Sequence, residues 1–287
     1  MMRCLLVCIF CALVTGGGSR PAENPRQAAP GLEKPVPGRR TLRNFLLTAL
    51  QPAGKTLYVW GGGWNAEDTG AGREALSVGV SPQWARFYAA HGADYDYKNF
   101  RYQIHDGLDC SGLVGWAVFN TLHRENADTP ERLAACTPPG GKIPGYVGKS
   151  TETARQYADA GFGTFTPAAA VKDWRPGDIM SMRGHVWIAI GACPDGSVVV
   201  LHSSPPGVRL CGTLLPNGAR SMAVELAETY MRKYFSGFFA RYPACDKPAN
   251  YLTASAQMRW HAAVLSDPDG LATADAATVL RNLLGER

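Results

Sequence analysis

The segment DCSGLVGWAVFNTL, Asp109 to Leu122, constrains the fold more than any other stretch of the chain. Leu113, Val114, Ala117, Val118 and Leu122 recur at helical spacing, and Asp109 offers a carboxylate of the kind that caps a first turn. The segment reads as a core helix. Its packing partner follows in the chain: WRPGDIMSM and HVWIAIG read as strands, and the turn CPDGS leads into a further strand, SVVVLHSS. The expected class is α+β, a helix packed on an antiparallel sheet.

The flanking regions have different textures. Residues 1–19 combine a basic residue, a short apolar run and small residues, the pattern of a secretory signal, with an N-terminal anchor as the alternative. The run is too short to span a bilayer comfortably, so no stable membrane span is expected once it is removed. Residues 20–40, rich in Pro, Gly, Arg and Ala, read as a flexible linker. Leu42, Phe45, Leu46 and Leu50 predict a short amphipathic helix, stopped by Pro52 and Gly54. Two long insertions are expected, at 65–107 and 126–166, the first lying over the surface and the second holding a helix at 151–160. The principal domain is read as 41–245. Residues 246–287 are read as a C-terminal helical extension with helices at 254–265 and 272–284. The acidic tail around Asp267 and Asp269 offers too few carboxylates for a calcium loop.

Export would place Cys110, Cys136, Cys193, Cys211 and Cys245 where disulfides persist. Their odd number leaves one free functional thiol and four that could pair, in a connectivity the sequence does not give. The formal charge of +5 is scattered rather than striped, which gives nucleic-acid binding little support.

Cys110 is the candidate nucleophile, although a Cys beside an apolar helix is also an ordinary core residue. In the first helical turn, unpaired N–H groups and the helix dipole favour a thiolate. A free thiol titrates at about 8.5, and an imidazolium nearby lowers that to roughly 3.5–7.5. His91, His105, His123 and His261 read as solvated. His185 opens an apolar strand and His202 ends the next, which makes them either a working pair or two satisfied core histidines. A tight two-residue turn at Asp195 and Gly196 would set His202 opposite Ala189, on the face of His185 but about 13 Å along the strand from it. Joining the two requires an earlier turn or a bulge. A zinc site from Cys110 and His105 lacks the usual four closely spaced ligands.

The ordered segments YVWGGG, DCSGLVGWAVF, WRPGDIM, GHVWIAIG and VLHSS resemble the NlpC-type peptidases, the NlpC and sixty-kilodalton-protein family of papain-like cell-wall hydrolases. The resemblance covers roughly residues 40–210, interrupted by both insertions. It implies a papain-like fold with Cys110 as nucleophile, His185 as base and His202 as the residue that orients it. It implies Tyr58 beside the oxyanion site, and Asp109 and Ser111 holding the amino end of a short peptide; Tyr58 as a core aromatic and Asp109 as only a cap stand beside these. The implied activity is hydrolysis of peptidoglycan stem peptides at the γ-D-glutamyl–diamino acid bond by a secreted or wall-associated monomer that needs no cofactor or metal. The alternatives are a papain-like N-acetylmuramoyl-L-alanine amidase and a catalytically inactive wall-binding protein.

Overall fold

The computed structural model describes residues 31–64, 80–100, 105–122 and 153–286. The signal segment, the first part of the linker, Cys136, His123 and portions of both insertions lie outside these residues.

The first helix, α1 (Leu42–Leu50), forms where its apolar spacing predicts it, with Thr41 as N-cap accepting from the Asn44 N–H. The next, α2 (Pro82–Ala90), lies within the stretch expected to have little regular structure. Ser81 caps it and a proline opens it, a helix-start signal outweighed in the sequence by the polar surroundings. This stretch does not merely lie over the surface. Trp84 is fully buried, edge-on to Trp116 with ring centroids 5.7 Å apart. Trp116 belongs to the core helix α3 (Cys110–Leu122), which is buried over nearly its whole length.

After α4 (Thr153–Asp159), the chain builds β1 (Gly163–Thr166), β2 (Ile179–Met182), β3 (His185–Ala192), β4 (Val198–Ser204) and β5 (Gly207–Thr213). Helices α5 (Met222–Tyr234) and α6 (Ser236–Arg241) follow. The chain continues through β6 (Asp246–Lys247), α7 (Asn250–Ala254), β7 (Ala256–Trp260) and α8 (Ala276–Leu283). The sheet has seven strands in the order β1-β7-β2-β3-β4-β5-β6. All pairings are antiparallel except β5 with the two-residue β6.

The C-terminal part is not a separate helical extension. Residues 256–260, where a helix is expected, form β7 between β1 and β2. Ala, Gln, Met and Arg favour helix weakly, and pairing with two strands overrides that preference. Only the second expected helix is present, as α8.

The sheet's two faces do different work. Residues of one parity, including Val186, Ile188, Val199, Leu201 and Met258, join the main core with α1 and α3. The opposite parity, including Met180, Trp187, Ala189, Val200 and Cys211, forms a second, smaller cluster packed by Trp174, Tyr251 and Leu252. Cys193, Cys211 and Cys245 are buried free thiols, so no disulfide joins any two of them. Cys211 lies on β5 and Cys245 directly before β6, and the two belong to different core clusters. Among the described residues no helix is long and apolar enough to cross a membrane.

Candidate functional site

The site is assembled at the end of the β3–β4 ladder. The strands stay paired as far as Ile188 and Leu201. Beyond that point the segment leading into α3 approaches β4. Ser203 donates its hydroxyl to the Leu108 carbonyl at 2.6 Å, and Leu108 bridges to Tyr58. Helix α3, which opens at Cys110, packs against β3, and the Val186 N–H is among the groups that lower the Cys110 thiol against the effect of burial. The start of α3 is thus associated with the inner-face parity of β3, and His185 belongs to the opposite parity of the same strand.

The turn before this segment explains its glycines. Gly62 donates to the Val59 carbonyl at 2.8 Å, and Gly61 between them has φ of +71°, a conformation open to glycine. Gly62 in turn accepts from the Asp109 N–H at 2.9 Å. A Cβ on Gly112 would collide with the Gly62 carbonyl, so the helix can approach the turn only with glycine there.

The hairpin is irregular in both of the ways that joining the two histidines requires. Its turn closes from Cys193 to Ser197, with Gly196 N–H on the Cys193 carbonyl and φ of +81° at Gly196. A bulge between Ala189 and Gly191 then shifts the register again. Ile188 faces Leu201, and continuing that register sets His202 across from Trp187 rather than Ala189. His202 and His185 become diagonal neighbours on one face, within reach of ring-to-ring contact. His185 Nε2 lies 2.9 Å from His202 Nδ1. His202 is fully buried, and its Nε2 lies 3.5 Å from Ser204 Oγ.

The other candidate residues take these positions. Tyr58 is buried, edge-on to Tyr97, and its carbonyl accepts from the Tyr95 hydroxyl at 2.6 Å. Asp109 Oδ1 accepts from Ser111 Oγ at 2.9 Å and from the Gly112 N–H at 2.6 Å. The Asp109–Ser111 pair thus caps α3 from within. Burial raises the Asp109 carboxyl above its ordinary value, against the hydrogen bonds from Gly112, Ser111 and Gly61 that lower it.

The electrostatics differ from the expected thiolate–imidazolium pair. Burial pushes the Cys110 thiol up to about 12, with the Asp109 charge adding to the effect. The N–H groups of Val186, Ser111 and Cys110 itself oppose this without overcoming it. Burial, then the Lys247 charge, brings His185 down to about 4. His202 is held well below its ordinary value by burial, Lys247, His185 and Arg209. At 9% exposure the Cys110 residue has little water to solvate an anion. The resting state is therefore a neutral thiol and a neutral imidazole.

From such a state, attack by the thiol requires its proton to move during the step rather than before it. A neutral His185 that donates from Nε2 to His202 Nδ1 keeps its Nδ1 lone pair free to accept a proton. Lys247 favours this arrangement. Its ammonium has donors only and approaches Ser204 Oγ at 3.5 Å, so Ser204 accepts there and His202 Nε2 can donate toward it.

Lys247 and Tyr251 escaped the sequence reading because they lie in the segment read as an extension. The Tyr251 ring sits 5.6 Å from His185 and 6.3 Å from His202. No motif marks either residue; the signal is the sheet pairing that brings the C-terminal segment across the histidines.

Comparisons with protein-family models, with curated proteins and with solved structures return no match.

Proposed function

We propose that this chain is a cysteine hydrolase of papain-like type that cleaves amide bonds in peptidoglycan stem peptides. The observations that carry the proposal are the contact of His185 with His202 at 2.9 Å and the packing of α3, which opens at Cys110, against the strand that His185 opens. In the proposed reaction the sulfur attacks the amide carbonyl carbon while its proton passes to His185. The C–N bond then breaks, and the amine leaves with that proton. Water hydrolyses the thioester and restores the thiol. A thiol of high intrinsic pKa gives a strong nucleophile once its proton is removed. Backbone N–H groups beside the sulfur, with Tyr58, are the candidates for holding the oxyanion.

The wall substrate, the γ-D-glutamyl–diamino acid bond and a secreted or wall-associated location rest on the ordered motifs shared with NlpC-type peptidases. Product analysis on purified peptidoglycan tests the choice of bond. The proposed cleavage frees the amine of a diamino acid, whereas a muramoyl amidase frees that of L-Ala.

A second reading, a wall-binding protein with an idle site, is favoured by the buried, neutral Cys110. Iodoacetamide labelling separates the two when run with and without stem peptide. An enzyme that activates its thiol on substrate binding shows substrate protecting Cys110 and being consumed; an idle site shows protection without consumption.

A further inference from the structure

Beside the histidine pair, the outer face of the sheet gathers positive charge without a matching acid. Arg209 is the cross-strand partner of His202 and is 5% exposed. Its guanidinium donates only to neutral carbonyls, NH1 to Ala244 at 2.6 Å and NH2 to Pro205 at 3.3 Å, and its buried Nε has no partner. Lys247 is half-buried, and its single described hydrogen bond is the long one to Ser204 Oγ at 3.5 Å. Among the described residues neither cation forms an ion pair. The acidic groups around them are the Cys211 and Cys245 thiols, which burial keeps neutral, and the exposed Asp246.

A desolvated ammonium beside a desolvated guanidinium is costly unless something negative joins them. Ser204, Lys247 and Tyr251 are all half-buried, so the cluster opens to solvent along that rim. We propose that Lys247 and Ser204, backed by the charge of Arg209, form a carboxylate-binding subsite beside the His185–His202 pair. One reachable ammonium and one hydroxyl suit a monoanion: the oxygens of a carboxylate can take the Lys247 ammonium and the Ser204 hydroxyl together. Reading that ligand as a free carboxylate of the substrate rests on the hydrolase proposal; binding of the anion does not.

The test uses the full chain labelled with ¹³C at histidine Cε1, titrated with acetate and, separately, with acetamide at constant ionic strength. The expected result is that two imidazole signals move saturably with acetate and do not move with acetamide. Lys247→Met should weaken the acetate response at least tenfold, and Lys247→Arg should retain it. Equal responses to acetate and acetamide, or an acetate response unchanged in Lys247→Met, would overturn the subsite. The acetate–acetamide contrast in the unaltered chain stands even if a variant misfolds. No turnover enters the readout, so a chain that binds acetate but cleaves no stem peptide contradicts only the hydrolase reading. A chain that cleaves but shows no acetate selectivity contradicts only the subsite.

Discussion

Two polar clusters occupy the outer face of the same sheet, and they handle charge in opposite ways. At the β2–β7 side, Asp178 is 1% exposed, yet every need of its carboxylate is met. Arg259 Nε and NH2 donate to it at 3.0 and 2.8 Å, Gln257 Nε2 at 2.9 Å and the Arg175 N–H at 2.7 Å. The Asp173 carboxylate accepts from Arg259 NH1 and from Arg175 Nε. Two acids face two guanidinium groups, and the cluster ties the β7 segment to the loop before β2. At the β4–β6 side, Arg209 and Lys247 stand against two neutral histidines with no carboxylate bonded to either. The first arrangement is complete without a ligand, as befits a structural joint. The second is unfinished, and it lies beside the His185–His202 pair.

Removing one charge from each cluster should separate them most. Arg259→Met leaves Asp178 buried and unpaired and should cost about 3–5 kcal/mol in urea unfolding. A loss below about 1 kcal/mol would erase the distinction. The pH dependence comes next. His185 titrates at about 4 when folded and near 6.5 when unfolded, so the unfolded chain binds more protons between those values. Its contribution is therefore fully present above about 6.5 and is lost as pH falls toward 4, with a slope of up to about 1.4 kcal/mol per pH unit. Buried Asp178, raised by desolvation, acts with the opposite sign, and its contribution is lost as pH rises through its folded value. Unfolding curves across this window should be visibly flatter in His185→Gln, and an unchanged slope would remove the neutral imidazole from the account. The smallest effect belongs to Lys247→Met. Deleting a cation that has no acid should change stability by less than about 1 kcal/mol in either direction, and a loss comparable to Arg259→Met would show that Lys247 is a structural tie.

Much of this arrangement is legible in the residues, for reasons that differ by element. The helix from Cys110 and strands β2 to β4 stand out because dense apolar runs leave few alternatives, and Thr41 and Pro52 punctuate α1. The hairpin could be read only as a requirement: alternation puts His202 on the right face, whereas its partner depends on a bulge next to Gly191. A Cβ on Gly191 would come within 2.9 Å of the Ala276 backbone N, a constraint set by α8 far along the chain. Strand β7 is hidden because its composition prefers helix and its partners are distant. The cation cluster is hidden more deeply, since Arg209, Lys247 and Tyr251 acquire meaning only when β5, β6 and α7 converge on His202. The ionisation state of Cys110 is likewise a property of its burial. Position at a helix start favours the thiolate, and desolvation outweighs it.

The central claim is that Cys110 forms a covalent intermediate with His185 as its base, and acid-quenching the chain during turnover of a defined stem muropeptide addresses it most directly. Mass spectrometry should find an acyl thioester on the peptide containing Cys110, absent from Cys110→Ala, whose product formation should fall to background. Product release continuing undiminished in Cys110→Ala would contradict the account.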